Sequence, residues 1–303
     1  MTMVAPLYAA VEAGGTKIVC GIGSAETGSL ETARIETGEA AATIRAIIDF
    51  FGAAGARHGP IQAAGIASFG PLDLDPESPS WGRITTTPKP GWQGVDLRGS
   101  IADALGVRTG INTDVNAAAL AEATHGAARG RKNVAYVTVG TGIGVGLLSG
   151  GRMVHGLGHP EAGHLRLPRH ERHAGFAGIC PFHGDCLEGL SSGPAIKAAW
   201  GGSLDMLADD HPAWEVEAHY LAELCATLIL TVAPEHIVLG GGVMSQQRLL
   251  PAIRAATLQS LAGYAAAWVA PDTADARITG PGCKEPSGLV GAYLIAEEAH
   301  RRG

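Results

Sequence analysis

The sequence predicts an α/β protein of two domains, and three observations carry that expectation. Short apolar, strand-like runs alternate along the chain with longer segments of helical spacing, the pattern of strands covered by helices. One short pattern returns: VEAGGTKIVCGI near the start and TVGTGIGVGLL near the middle are both apolar strand, Gly-Thr turn, apolar strand. That internal repeat points to two halves of similar design facing a cleft. Finally, 303 residues with 46% hydrophobic and 17% charged side chains exceed one ordinary core and lack the composition of a disordered chain.

Taken in order, Tyr8 to Glu12 reads as a strand, AGGT as a tight turn, and Lys17 to Ile22 as the returning strand. Glu39 to His58 has helical spacing, with Ile44, Ile47, Ile48 and Phe51 on one face. Ile61 to Ser68 reads as a buried strand, and the Pro- and Thr-rich stretch from Pro71 to Gly91 as loop or irregular hairpin. A short helix over Leu97 to Leu105, a strand over Val107 to Asn112 and an Ala-rich helix over Asp114 to His125 follow. The second half opens with strands at Val134 to Val139 and Val145 to Leu148 around GTGIG. Helices are expected over Ser192 to Trp200, Trp214 to Val232, Ser245 to Leu261 and Ser287 to His300, with a short buried strand at His236 to Leu239. The expected division is an N-terminal domain over 1–125 and a C-terminal domain over 126–286. The final helix, 287–303, should pack back on the first.

Composition excludes several classes of function. The formal charge is −7, and no run of Lys or Arg is present, so neither nucleic acid nor an anionic membrane is an expected partner. Five cysteines, an odd number scattered over a long chain, argue against a secreted disulfide framework. Cys20 and Cys225 lie in apolar runs where a buried thiol is ordinary, and Cys283 reads as a bystander. The N-terminal segment lacks a basic n-region and meets Glu12 early, unlike a signal peptide. The longest apolar stretch, Leu224 to Ala233, is too short to span a bilayer. A soluble cytoplasmic protein is the expectation.

The chemistry concentrates in a few places. There is no G-x-x-x-x-G-K-[ST] and no G-x-G-x-x-G after a strand, which removes the ordinary P-loop and the dinucleotide fold. Three glycine turns instead follow apolar strands: Gly14-Gly15-Thr16, Gly140-Thr141-Gly142 and Gly240-Gly241-Gly242. Any one would serve as a plain hairpin turn. Three together favour a nucleotide, because successive glycine N–H groups form a nest for phosphate oxygens. Asp114 directly follows a strand and opens a helix, where a carboxylate acts either as an N-cap or as a general base. The stretch 160–190 holds His164, Cys180, His183 and Cys186, with Glu161 and Glu188 beside candidate ligands. Two thiolates and two imidazoles at this spacing suit tetrahedral Zn²⁺, and four protein ligands would make the metal structural, with no open position for water. His170 and His173, in the same stretch, are expected to be solvated.

These segments together resemble the ROK family of sugar kinases and repressors, within the duplicated actin/hexokinase-like (ribonuclease H-like) superfamily. EAGGTK at 12–17, TDVNAAAL at 113–120, GTGIG at 140–144, EAGH at 161–164, CPFHGDCLE at 180–188 and LGGGV at 239–243 follow the family's order of motifs. The resemblance implies a two-domain kinase fold with a zinc-bound loop, ATP and Mg²⁺ as cofactors, a hexose substrate and a homodimer. It implies Asp114 as general base, and Glu161, His164 and Glu188 as sugar contacts, with His164 serving zinc through one nitrogen and sugar through the other. Asn116 would brace the site, and Gly70 falls in a substrate loop. Glu12, Gly14, Gly15, Thr16 and Lys17 fall in the first phosphate segment. Gly140, Thr141 and Gly142 fall in the second, and Gly240, Gly241 and Gly242 in the adenosine segment.

Three departures refine the expectation. Glu12 stands where the family usually has Asp, which would bring a carboxylate closer to the phosphates. Thr113 stands where the glucokinases carry an Asn that contacts a pyranose, and His183 replaces a zinc Cys. The combination, with SFGPLDLD at 68–75 and TTTPKPGW at 85–92, is similar to the bacterial fructokinase branch. It implies phosphorylation of D-fructose to fructose 6-phosphate, with mannose, glucose or N-acetylmannosamine as alternative substrates. A non-enzymatic sugar sensor is the rival reading, disfavoured by the acidic charge and by a first strand that starts at Tyr8.

Overall fold

In the computed structural model, residues 6–302 are described; the leader reading of residues 1–5 and the last residue of the expected 287–303 helix lie outside them. The chain forms two compact units. One comprises 6–126, 153–160 and 283–302, and the other 127–152 and 161–282.

The first unit is a five-stranded sheet in the order β3-β2-β1-β4-β5, with β1 at Leu7–Ala13, β2 at Lys17–Ser24, β3 at Gly28–Glu36, β4 at Ile61–Ser68 and β5 at Arg108–Thr113. β1 and β2 are an antiparallel hairpin, whereas β4 runs parallel to β1 and β5 parallel to β4. Parallel strands buried on both faces read as continuous apolar runs, which is why these three are visible in the sequence. Against one face pack α1 (Ala40–His58) and α2 (Leu97–Leu105), enclosing Ile47, Phe51, Ile66, Trp92 and Ile101 in one apolar cluster. Against the other lie α3 (Asp114–Thr124) and the last helix of the fold, Ser287–Arg301. That helix sits so close that a Cβ at Gly65 of β4 would lie 1.9 Å from the Ala292 carbonyl oxygen. The 71–96 connection is irregular, held by single bridges Leu72 to Ile84 and Arg83 to Asp96. β3 is not expected from the sequence: every second residue is solvent-exposed and it carries no apolar run.

The second unit repeats the plan. β6 (Val134–Val139) and β7 (Ile143–Ser149) form the hairpin, β9 (His236–Gly240) runs parallel to β6, and β8 (Arg152–Met153) and β10 (Ile278–Thr279) are short edges. The order β8-β7-β6-β9-β10 matches β3-β2-β1-β4-β5 strand for strand, so the repeated hairpin in the sequence marks duplication of a whole sheet. Its helices are α4 (Leu187–Ser191), α5 (Gly193–Trp200), α6 (Ala213–Val232), α7 (Leu249–Leu261), α8 (Ala266–Val269) and α9 (Thr273–Arg277); the first unit's last helix, Ser287–Arg301, is α10.

Two expectations are corrected here. The helix foreseen from Ser245 begins at Leu249, after a 3-10 turn over Val243–Ser245. Pro251 lacks the N–H that an interior turn requires, but fits the first turn of a helix starting at Leu249. His173 is not solvated: it is buried, stacked 5.2 Å from Trp200 and near Phe176 and Tyr220. Burial, with the positive charge of Arg169 second, holds its imidazole below the usual range. His170 is also largely covered, its ring edge-on to His219 and 3.7 Å from Glu215.

Candidate active site

In the first unit, register brings the chemistry to one sheet edge. Ala13 pairs with Ser68, and Ser68 with Thr113, so β1, β4 and β5 end level. The Gly14–Lys17 turn, the Phe69–Pro71 bend and Asp114 therefore leave the same carboxyl edge, where open α/β sheets bind ligands. Gly15, Thr16 and Lys17 are exposed. Their turn is braced by Thr37, whose N–H donates to the Thr16 carbonyl at 3.0 Å and whose hydroxyl donates to the Gly14 carbonyl at 2.8 Å. Glu12 is half-buried one residue before the end of β1, against the first turn of α10: a Cβ at Gly288 would lie 2.5 Å from its Oε1. Burial raises its carboxyl, against the pull of Lys17.

The structure gives the cap of α3 to the neighbour of Asp114. The N-cap of α3 is Thr113, whose Oγ1 accepts from the Asn116 N–H at 3.1 Å. Asp114 is the first helical residue, with one oxygen accepting from the Val115 N–H at 2.9 Å. Asn116 is buried, and its side-chain amide donates to Asn112 at 3.0 Å and to the Val154 carbonyl at 3.2 Å. Those bonds brace the turn that carries Asp114. Gly70 packs against a residue that no local pattern marks. A Cβ there would lie 3.0 Å from the His159 ring, whose Nε2 accepts from the Leu72 N–H at 3.0 Å.

In the second unit, Thr138 of β6 pairs with Gly240 of β9, which sets Gly140–Gly142 beside Gly240–Gly242. Thr141, Gly241 and Gly242 are exposed. The Gly193 N–H at the start of α5 donates to the Gly140 carbonyl at 2.8 Å, and a cavity of about 410 Å³ opens over these turns. Its further lining, including Ser203, Asp205 and Gln246, has no motif in the sequence; only the Ser192-Gly-Pro helix start signals that α5 opens there.

Gly142 serves the acidic side of the site as well as the turn. A Cβ there would lie 2.4 Å from Glu188 Oε2, the oxygen that accepts from the Ile143 N–H at 2.9 Å. Gly163 lets the Ala162–His164 turn approach β7, where a Cβ would meet the Ile143 carbonyl oxygen at 1.8 Å. Glu161 lies at the head of that turn. Its carboxyl is drawn up to about 7, by desolvation first and by the neighbouring Glu188 second.

The donor atoms of His164, Cys180, His183 and Cys186 all lie within 4.8 Å of one another. His164 Nδ1 is 3.4 Å from Cys186 Sγ and 3.7 Å from Cys180 Sγ, and His183 Nδ1 is 3.7 Å from Cys180 Sγ. Zinc bond lengths give a tetrahedron with edges of about 3.3–3.8 Å, so these four residues fit Zn²⁺ in both chemistry and spacing. Burial pushes the Cys186 thiol up to about 11, so a thiolate there needs a cation beside it. Both imidazoles face the thiols through Nδ1, and His164 presents Nε2 on its other side.

Comparison with known proteins agrees with this geometry. A fructokinase from Zymomonas mobilis is 40% identical over 98% of this chain and 98% of its own. A Lactococcus lactis fructokinase is 39% identical over 85% of this chain and 86% of its own. The crystal structure of a ROK hexokinase from Thermus thermophilus, 28% identical, matches with a TM-score of 0.78 over 98% of this chain and all of that one. The paired five-stranded sheets are accordingly the duplicated actin/hexokinase-like α/β fold of the ROK sugar kinases. The ROK family model matches residues 8–299, and with motifs, sheet order and near full-length relatives in agreement, the chain belongs to the ROK family.

Proposed function

We propose that this chain is an ATP-dependent sugar kinase that transfers the γ-phosphoryl group of ATP to D-fructose, giving fructose 6-phosphate. The full-length likeness to fructokinases supports the substrate. The observation that carries the chemistry is Asp114 at the carboxyl edge of β5, with the helix cap supplied by Thr113. Asp114 takes the proton of the sugar 6-hydroxyl as that oxygen attacks phosphorus, a role worth about 10²–10⁴-fold. Glu161, Glu188 and the Nε2 side of His164 bind sugar hydroxyls. The three glycine turns bind the nucleotide through backbone N–H groups other than those of Gly14 and Gly140, which the turns use themselves.

Mg²⁺ requires few protein ligands beside phosphate oxygens, and the carboxyl edge of the first sheet offers Glu12, two residues before the Gly14–Lys17 turn. Bound there, it would neutralise charge on the transferring phosphoryl group. Zn²⁺ on His164, Cys180, His183 and Cys186 has no open position. Its part is to hold the loop from which Glu161 and Glu188 project. The acidic charge speaks against a nucleic-acid partner, five scattered cysteines suit a cytoplasmic protein, and the family resemblance supports a homodimer. No helix among the described residues is long and apolar enough to cross a membrane.

A coupled ADP-release assay over fructose, glucose, mannose and N-acetylmannosamine tests the reading. Fructose should give the highest kcat/KM. Efficient glucose turnover without fructose turnover would overturn the substrate, and no ADP release with any hexose would favour a sugar sensor.

A further inference from the structure

The cavity over the second unit's glycine turns is polar in an uneven way. Near the turns it is lined by Gly140, Thr141 and Gly242, groups suited to phosphate. Aliphatic walls come from Ile196, Leu204 and Val243, and Asp205 is the one charged residue of the lining. Leu204 is buried and fixes the Leu204–Met206 turn that carries Asp205. Among the described residues, no hydrogen bond or ion pair engages the Asp205 carboxylate, and Ser203 makes no side-chain cap bond to the same turn.

Asp205 is exposed, and water solvates its carboxylate when the cavity is empty. Of the groups a nucleotide brings, the phosphates repel it and only the sugar hydroxyls or the base amino group can donate to it. A vicinal diol offers two O–H donors to the two oxygens of one carboxylate, the pairing by which an acidic residue takes the ribose in dinucleotide folds. From the convergence of an uncommitted carboxylate, glycine turns and an aliphatic wall, we infer that Asp205 binds the ribose hydroxyls and makes the protein selective for ribonucleotides over deoxyribonucleotides. The inference rests on the kinase reading above and adds its specificity residue. No aromatic ring lines the cavity among the described residues, so the base is held by aliphatic contact and discriminated weakly.

Calorimetric titration of the full chain with ADP, 2′-deoxy-ADP, 3′-deoxy-ADP and IDP tests this, in wild type, Asp205→Asn and Asp205→Ala. Wild type should bind ADP about tenfold more tightly than either deoxynucleotide, the lower end for a hydrogen bond to a charged group at an exposed position. IDP, which lacks the amino group, should bind within about twofold of ADP. Both variants should close the gap by weakening ADP alone, with fructose KM and thermal midpoint unchanged. Equal weakening of ADP and the deoxynucleotides in the variants, an undiminished gap in Asp205→Ala, or a gap that follows IDP would each overturn the assignment. ADP binding without ribose discrimination would refute this inference and leave the kinase reading intact. Ribose discrimination in a protein that does not phosphorylate fructose would do the reverse. No ADP binding at all would overturn both.

Discussion

Gly142→Ala isolates the acidic side of the site. The added Cβ would stand 2.4 Å from Glu188 Oε2, and real contacts of this kind essentially never fall below 3.0 Å. The oxygen must therefore retreat by at least 0.6 Å, the difference of those two distances. It is the same oxygen that accepts from the Ile143 N–H at 2.9 Å, so the bond is lost or severely stretched. Glu188 displaced in this way also loses its reach to a sugar hydroxyl, and one hydrogen bond to a charged group, worth about 1.5–3 kcal/mol, sets the weakening of fructose binding at roughly ten- to 150-fold. The clash is with the far end of a flexible side chain, so the fold should survive. Gly163→Ala is the contrasting variant, because its Cβ would meet the Ile143 carbonyl oxygen at 1.8 Å and backbone cannot swing away. Fructose affinity by calorimetry, ADP affinity and thermal midpoint should be measured for both. Gly142→Ala should lose fructose affinity with a modest fall in midpoint, and Gly163→Ala should lose far more stability. Wild-type fructose affinity in Gly142→Ala, or a loss confined to ADP, would show that Gly142 serves the nucleotide turn alone.

Removing zinc with a chelator, or substituting Cys186→Ser, should release the metal and lower the thermal midpoint. Fructose affinity should fall before ADP affinity, and unchanged midpoint and fructose affinity in metal-free protein would contradict the bracing role. Glu217, fully buried in α6, has its carboxyl raised to about 8 by desolvation, against a smaller lowering from Ser191. The folded state then holds a proton that the unfolded chain sheds above its ordinary value of 4.5, so stability falls as pH rises from there to 8. The slope is about 1.4 kcal/mol per pH unit. Relative to wild type, Glu217→Gln should gain stability steadily in denaturant titrations between pH 5 and 8; a pH-independent difference would show that Glu217 is already ionised.

What the sequence reveals of this fold follows from how local each signal is. The strands Ile61–Ser68 and Val134–Val139 and the helix Leu97–Leu105 are legible to the residue, because a buried parallel strand and a capped amphipathic helix carry their own pattern. β3 is missed because an exposed edge strand has no apolar run, and β8 and β10 because two residues have no period. His173 looks polar in sequence and is buried only because Trp200 and Tyr220, distant in the chain, close over it. In the site, the glycine turns and the Cys/His spacing are contiguous and therefore visible. His159 against Gly70 and Asp205 in the cavity depend on tertiary contacts that no short window contains, whereas the Thr113 cap is local, three residues from its Asn116 donor, and is masked in the sequence by Asp114 beside it. Gly142 of GTGIG is visible in the sequence as a turn residue, but its clearance for Glu188 is not.

The role of Asp114 as base is tested most directly by the turnover of Asp114→Asn with fructose and ATP, measured beside the affinities for fructose and ADP. The kcat should fall by about 10²–10⁴-fold while both affinities stay within about threefold of wild type. A kcat within about tenfold of wild type, with affinities intact, would contradict Asp114 as the base.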